Sequence, residues 1–255
     1  MTLSGLKDAL DQAREDTGVK PDVLGFNLCE MAQIEVADSL KDAADIMIAS
    51  ENIQYTPGWP LREVLDLFVK GEKTPTPGEA AKAIVDACAK VSTRYTTTTS
   101  AVDLSKIETS KEAVRDLSEA LLAVRDEVTI QGVRESFSQV AFFPNTPFKA
   151  PYPKDLGDLA RKIISHPGTN DAPVAESAFR VVESLNKALI AEQHLPKGQE
   201  NRYGTAMRQD ATGLTINLAG EENDESYKTL PFVTETKWDK VIDKFGAWDD
   251  ATGIS

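Results

Sequence analysis

Apolar positions recur with two different periods along the first seventy residues. Leu3, Leu6, Leu10 and Ala13 fall on one helical face, with Ser4 placed as an N-cap. A turn signal from Gly18 to Pro21 follows. The short run Val23-Leu24-Gly25-Phe26 then has the length of a buried strand, and Asn27-Leu28-Cys29 ends it. Residues 30 to 43 read as a helix, with Met31, Ile34, Ala37 and Leu40 inward. Ile46-Met47-Ile48-Ala49 reads as a second buried strand, closing at Ser50-Glu51. A loop with Pro57-Gly58 and a short helix over 61 to 70 complete the stretch. A strand, a crossover helix and a strand make a parallel pair. Parallel sheets are covered on both faces. Two strands are too few for that, so this reads as the later half of a doubly wound, mainly parallel α/β domain.

Further on, helices dominate. Thr76-Pro77-Gly78-Glu79 is a capping box with Pro at the first helical position, opening a helix to about Val91. Ile84, Ala87, Cys88 and Val91 share its apolar face. Tyr95 to Val102, rich in threonine, reads as a strand. A capping box at Ser105 and Glu108 introduces one long helix carrying Val114, Leu117, Leu121, Val124 and Val128. A loop over 141 to 152, helices at 154 to 165 and 173 to 191, and a polar connection over 197 to 202 follow. A strand at Gly213 to Leu218 and a last helix from Trp238 to Phe245 complete the pattern. The expected division is residues 1–105 as an α/β core incomplete at its N-terminus. Residues 106–255 form a mainly helical region with a strand near 213–218.

Composition narrows the function classes. The chain of 255 residues carries 28 Lys and Arg against 41 Asp and Glu, a net charge of −13. Phosphate backbones select the opposite sign, which excludes nucleic acid as the natural partner. No apolar run approaches the roughly 18 residues of a membrane span. The first sixteen residues, MTLSGLKDALDQARED, contain no apolar signal-peptide core. The two cysteines, Cys29 and Cys88, read as free thiols.

Cys29 has the most telling position. It ends a predicted parallel strand, and ligands of open α/β sheets bind outside the carboxyl ends of strands. A thiol at a helix N-terminus also gains from the helix dipole. Ser50 and Glu51 end the neighbouring strand on the same edge, where Glu51 can form a pocket wall. Cys29 also fits a small buried hydrophobe, and Cys88 on its helix face fits nothing else. The histidines, His166 before Pro167-Gly168 and His194, both lie far along the chain from Cys29. His166 suits a helix cap. No zinc spacing, phosphate loop, GxGxxG or GxSxG occurs. The acidic stretch at 221 to 225 reads as a solvated loop. No cofactor is expected, and nothing in the sequence supports a calcium role for this loop.

The segment DVLGFNLCEMAQIEVADSLKDAADIMIASENIQYTPGWP resembles the nucleophile region of the clostripain family of cysteine peptidases. The resemblance rests on Asp22, Gly25, Phe26, Cys29, Met31, Glu35-Val36-Ala37, Ala44-Asp45, Ala49-Ser50-Glu51 and Gly58-Trp59-Pro60. It continues in Ser100 to Ser105, in Gly213-Leu214-Thr215-Ile216 and in Thr236-Lys237-Trp238. It implies a caspase-like fold and a Cys-His dyad that cleaves peptides after Arg or Lys, with Cys29 as nucleophile. Asn27, Ser50, Glu51 and Trp59 then border the substrate. The family's histidine belongs to an earlier strand, in a stretch like Asp-His-Gly, which these residues do not include. A His-bearing N-terminal chain that completes the sheet is therefore an expected partner. Asn27 stands where the family has Asp, a member of its acidic pocket, and Thr56-Pro57 where it has an acidic residue. Both departures weaken the expected grip on a basic side chain. They also suit a catalytically inactive homologue that binds rather than cleaves.

Overall fold

The computed structural model describes residues 2–52, 54, 58–70, 74–91, 98–140, 153–169, 172–194, 211–218 and 225–246. In chain order the elements are α1 (Leu3–Thr17), β1 (Val23–Gly25), α2 (Ile34–Leu40), β2 (Ile46–Ala49), α3 (Leu61–Val69) and α4 (Pro77–Val91). Then come β3 (Thr99–Asp103), α5 (Ile107–Ala123), α6 (Glu127–Gln139), β4 (Lys154–Asp155), α7 (Leu156–Ser165), α8 (Ala172–Ala188) and β5 (Leu189–Gln193). The last are β6 (Thr215–Ile216), α9 (Glu225–Lys228), α10 (Pro231–Thr236) and α11 (Trp238–Phe245).

The main sheet has the order β1-β2-β3-β5. β1 and β2 run parallel, Val23 opposite Ile46 and Gly25 opposite Ile48. β3 is antiparallel to both β2 and β5. The α/β class stands, and the sheet is mixed where a mainly parallel one was expected. The reason is local: α4 returns the chain to the edge from which it left, so β3 runs backwards beside β2. A second, two-stranded sheet pairs β4 with β6.

The sheet is buried between two apolar layers. Ile46, Ile48 and Ala101 face α4 through Ala81, Ile84, Val85 and Cys88. The other face meets a larger core in which α2, α5, α7, α8, α10 and α11 converge. Trp238 is fully buried there, 6.4 Å from the Phe137 ring, and its indole N–H donates to the Asn217 carbonyl at 2.8 Å. The indole thus buries its large apolar surface with its one donor satisfied.

Several boundaries differ from the sequence reading, each for a visible reason. Thr2, not Ser4, caps α1 by accepting from the Gly5 amide. Asp103, not Ser105, caps the turn before α5, and Glu108 turns instead toward Lys41 and Lys111. The expected long helix breaks after Ala123, because Asp126 accepts from the Thr129 amide and starts α6 afresh. Val128 is consequently exposed. The helix expected to reach 191 stops at Ala188, and β5 begins there because Leu189 and Ala191 pair with Val102 and Ala101. The capping box at Thr76 and Glu79 forms as the spacing predicts. The helix from Trp238 to Phe245 has the expected bounds. The loop at 141–152, the connection at 197–202 and most of the acidic stretch at 221–225 lie outside the described residues.

Candidate active site

The loop after β1 carries Cys29. The sequence reading starts a helix at residue 30, but α2 begins at Ile34, so Cys29 is not at a helix N-terminus. The chain between them is extended for a reason. The Ala32 amide donates to the Ser50 carbonyl at 3.0 Å, and the Ala32 carbonyl accepts from Thr215 at 2.8 Å. Gln33 bridges to Thr215 in parallel fashion. A residue held on both sides by strand-like bonds cannot enter a helix. The helix-dipole contribution to Cys29 is therefore removed, and its setting comes from the β2 exit instead.

That exit acts as a rail. The Phe26 amide donates to Ile48, the Glu30 amide to Asn52 and the Ala32 amide to Ser50. The Gln54 amide then donates to the Cys29 sulfur at 3.3 Å, and the thiol faces the Gln54 carbonyl at 3.9 Å. Cys29 is exposed. Glu30 beside it takes φ +55°, a left-handed conformation that costs a side-chain-bearing residue of order 1–3 kcal/mol. The bond from the Glu30 amide to the Asn52 carbonyl holds the backbone in this conformation. Burial raises the Glu30 carboxyl above its ordinary range.

The other candidate residues separate into two groups. Asn27 and Trp59 flank Cys29: the Asn27 side-chain oxygen accepts from the Trp59 amide at 3.1 Å. A Cβ on Gly58 would come within 2.6 Å of the Asn27 amide group, and Gly58 has φ +81°, so only glycine fits this turn. Ser50 and Glu51 lie beneath the edge, at 0% and 1% exposure. Ser50 Oγ accepts from the Asn52 amide and pairs with Thr98 Oγ1 at 3.1 Å. The Glu51 amide donates to Thr98 Oγ1 at 2.9 Å, while its carboxyl faces Asp155 and Glu192. Burial, then the Asp155 charge, hold the Glu51 carboxyl well above its ordinary range.

Neither histidine joins Cys29. His166 caps the end of α7, where Nδ1 accepts from Gly168 at 3.0 Å and Nε2 meets Glu135 at 2.9 Å. His194 follows β5, on the same sheet edge as Cys29, with Nδ1 2.7 Å from Glu192. Three strand spacings separate β5 from β1, roughly 14 Å, which is beyond any proton transfer to the thiol. Cys88 is buried against β3, and burial pushes its thiol up to about 11. Among the described residues no cluster of His, Cys, Asp and Glu could hold a metal ion. No described helix is long and apolar enough to cross a membrane.

Asp155 is the residue the sequence reading passed over. Asp155-Leu-Gly-Asp158 had the look of an ordinary helix start, and nothing in it signals contact with β2.

A model of the clostripain family matches residues 1–245. A search among curated proteins gives no match. Among solved structures, a clostripain from Bacteroides thetaiotaomicron in complex with the peptide inhibitor BTN-VLTK-AOMK superposes with TM-score 0.65 at 19% identity. The match covers 92% of this chain and 94% of that one. An inactive zymogen C11 protease from Parabacteroides distasonis gives 0.65 at 18% identity, over 92% of this chain and 62% of that one. A secreted C11 cysteine protease from Bacteroides thetaiotaomicron gives 0.67 at 18% identity, over 92% and 60%. This chain thus spans about three-fifths of the last two.

Proposed function

The chain belongs to the clostripain family, and from that premise we propose a cysteine endopeptidase in which Cys29 attacks the scissile carbonyl. The observation that carries the proposal is the rail from Ser50 to Gln54, which holds an exposed thiol at the carboxyl edge of a parallel strand pair. In the reaction a histidine takes the thiol proton as the sulfur–carbon bond forms. The Cys29 amide and a neighbouring N–H hold the oxyanion. The histidine returns the proton to the leaving amine, and water then hydrolyses the thioester. We place that histidine on a further strand beside β1, the end strand of the sheet among the described residues.

Cleavage after Lys or Arg is the proposed preference, in keeping with the lysine that ends the inhibitor sequence bound to the Bacteroides clostripain. Asn27 supplies an oxygen but no charge, so the margin over neutral residues is narrow. The experiment is digestion of a peptide library by the full-length protein, with cleavage sites read by mass spectrometry beside Cys29→Ala. Cleavage lost in Cys29→Ala and enriched after basic residues supports the proposal. Cleavage retained in Cys29→Ala overturns it.

A second reading, a homologue that binds without cleaving, is favoured by one observation. Both histidines are engaged elsewhere, with Glu135 and Glu192. No cleavage of any library peptide, with binding retained, decides for it.

A further inference from the structure

Asp155 and Glu51 belong to segments about a hundred residues apart and meet in the core. Asp155 uses both carboxylate oxygens. It accepts from the Asp158 amide at 2.6 Å, the Thr212 hydroxyl at 2.7 Å and the Thr212 amide at 2.5 Å. Those donors are what an ionised carboxylate needs. Neither Glu51 oxygen meets a donor in hydrogen-bond geometry among the described residues, although both are enclosed. A buried carboxylate in that state is strongly disfavoured. The charged groups around the pair are acidic or already engaged. Glu192 on β5 holds His194, and Asp158 on α7 holds Lys162 at 3.0 Å. Among the described residues, the other packed segments contribute Thr98, Thr212 and Gly213.

We propose that Glu51 and Asp155 share one proton as a neutral acid against a carboxylate, and that this pair is a positioning device for the Cys29 loop. The connections close a ring. Asp155 pairs with Thr215 across β4 and β6, Thr215 donates to Ala32, Ala32 donates to Ser50, and Ser50 precedes Glu51. The Cys29 loop is therefore gripped by two arms, the β2 exit and β6, and the acid pair joins the arms. Burial pushes Asp155 up to about 6, and it holds Glu51 well above the ordinary carboxylate range. Loss of the shared proton places two carboxylates side by side and separates the arms. The proposal rests on Cys29 as the nucleophile for its consequence, but not for its test.

The test compares wild type, Glu51→Gln and Glu51→Ala. Infrared difference spectra of wild type against Glu51→Gln at pH 7 read whether Glu51 is protonated. Amide hydrogen exchange over residues 27–33 reads the grip on the loop. The expected results are a protonated-carboxyl band that vanishes in Glu51→Gln, and loop exchange within about twofold of wild type in that variant. In Glu51→Ala the same segment exchanges about tenfold faster while α5 and α11 are unchanged. Raising the pH speeds loop exchange, beyond the intrinsic rate, in wild type but not in Glu51→Gln. Absence of the band, or a Glu51→Gln loop as fast as one freed by alkali, overturns the proposal even if Glu51→Ala fails to fold. Neither readout uses peptidase activity, so an inactive protein strikes the function proposed above and leaves the acid pair to be decided on its own.

Discussion

The Gln54 amide donates to the Cys29 sulfur at 3.3 Å, and Gln54 belongs to the segment that leaves β2 rather than to the loop of Cys29 itself. The position of the Cys29 sulfur is thus set by strand pairing. β1 and β2 fix the start of the rail, the Phe26 and Glu30 amides carry the pairing out past the thiol, and the Ala32 amide ties the loop back to Ser50. A substitution that shifts the rail moves the sulfur without touching it.

On the proposed function, Asn27 is the position whose charge sets the preference for a basic side chain. Its oxygen accepts from the Trp59 amide, a role that aspartate fills equally well. Asn27→Asp should therefore keep the Gly58–Trp59 turn and add a negative charge beside Cys29. Selectivity for a lysine-bearing inhibitor over its norleucine counterpart should rise about tenfold, or about 1.4 kcal/mol. Second-order inactivation rates for the two inhibitors measure it.

Acid-range stability follows from the buried carboxyls. Burial raises Glu35, Glu51 and Asp155 alike, the last to about 6. A raised acid binds its proton in the folded chain at pH values where the unfolded chain has released it. Stability from these groups is full below the unfolded carboxylate range and declines as pH rises through their folded values. Melting temperature should fall between pH 3.8 and about pH 6 on account of Asp155, and Glu51, also raised, adds to the decline as pH rises. Glu51→Gln should flatten the alkaline part of the decline in a calorimetric pH series.

Lys111 ties three helices together. Its ammonium lies 2.7 Å from Glu235, 3.1 Å from Glu108 and 3.3 Å from Asp38, with only 7% of the side chain exposed. Asp38 is 3% exposed and retains Lys41 at 2.9 Å when Lys111 is lost. Lys111→Met should cost about 2–3 kcal/mol, below the full penalty for an orphaned buried charge. Denaturant midpoints, compared at constant slope, check the value.

Trp238 anchors the last helix against Phe137 and Phe245 and closes the Asn217 carbonyl. Trp238→Ala leaves a cavity and removes one hydrogen bond, and should cost about 3–5 kcal/mol. In a chain of this size that lowers the melting temperature by roughly 10 °C.

The readable and unreadable parts of the sequence differ in kind. β2 was legible because Ile46 to Ala49 form an unbroken apolar run buried on both faces, and α11 because Trp238 to Phe245 bury one face at helical period. Thr76 and Glu79 were legible because a capping box is local chemistry. The start of α2 was not, because Ala32 and Gln33 are fixed by Thr215, nearly two hundred residues away. β5 was hidden for the same reason: Leu189 and Ala191 continue a helical pattern until β3 offers them a ladder. At the site, Cys29 stood out by its place after a strand. Its partnership with Gln54, and that of Glu51 with Asp155, come from tertiary closure that no spacing encodes.

The most direct measurement of the central claim is covalent labelling of the protein by a peptidyl acyloxymethyl ketone ending in lysine, mapped by mass spectrometry. One adduct on Cys29, none on Cys88, and none in Cys29→Ala or in denatured protein is the predicted result. Labelling of Cys29 in the full-length protein no faster than that of a free thiol in solution would contradict it.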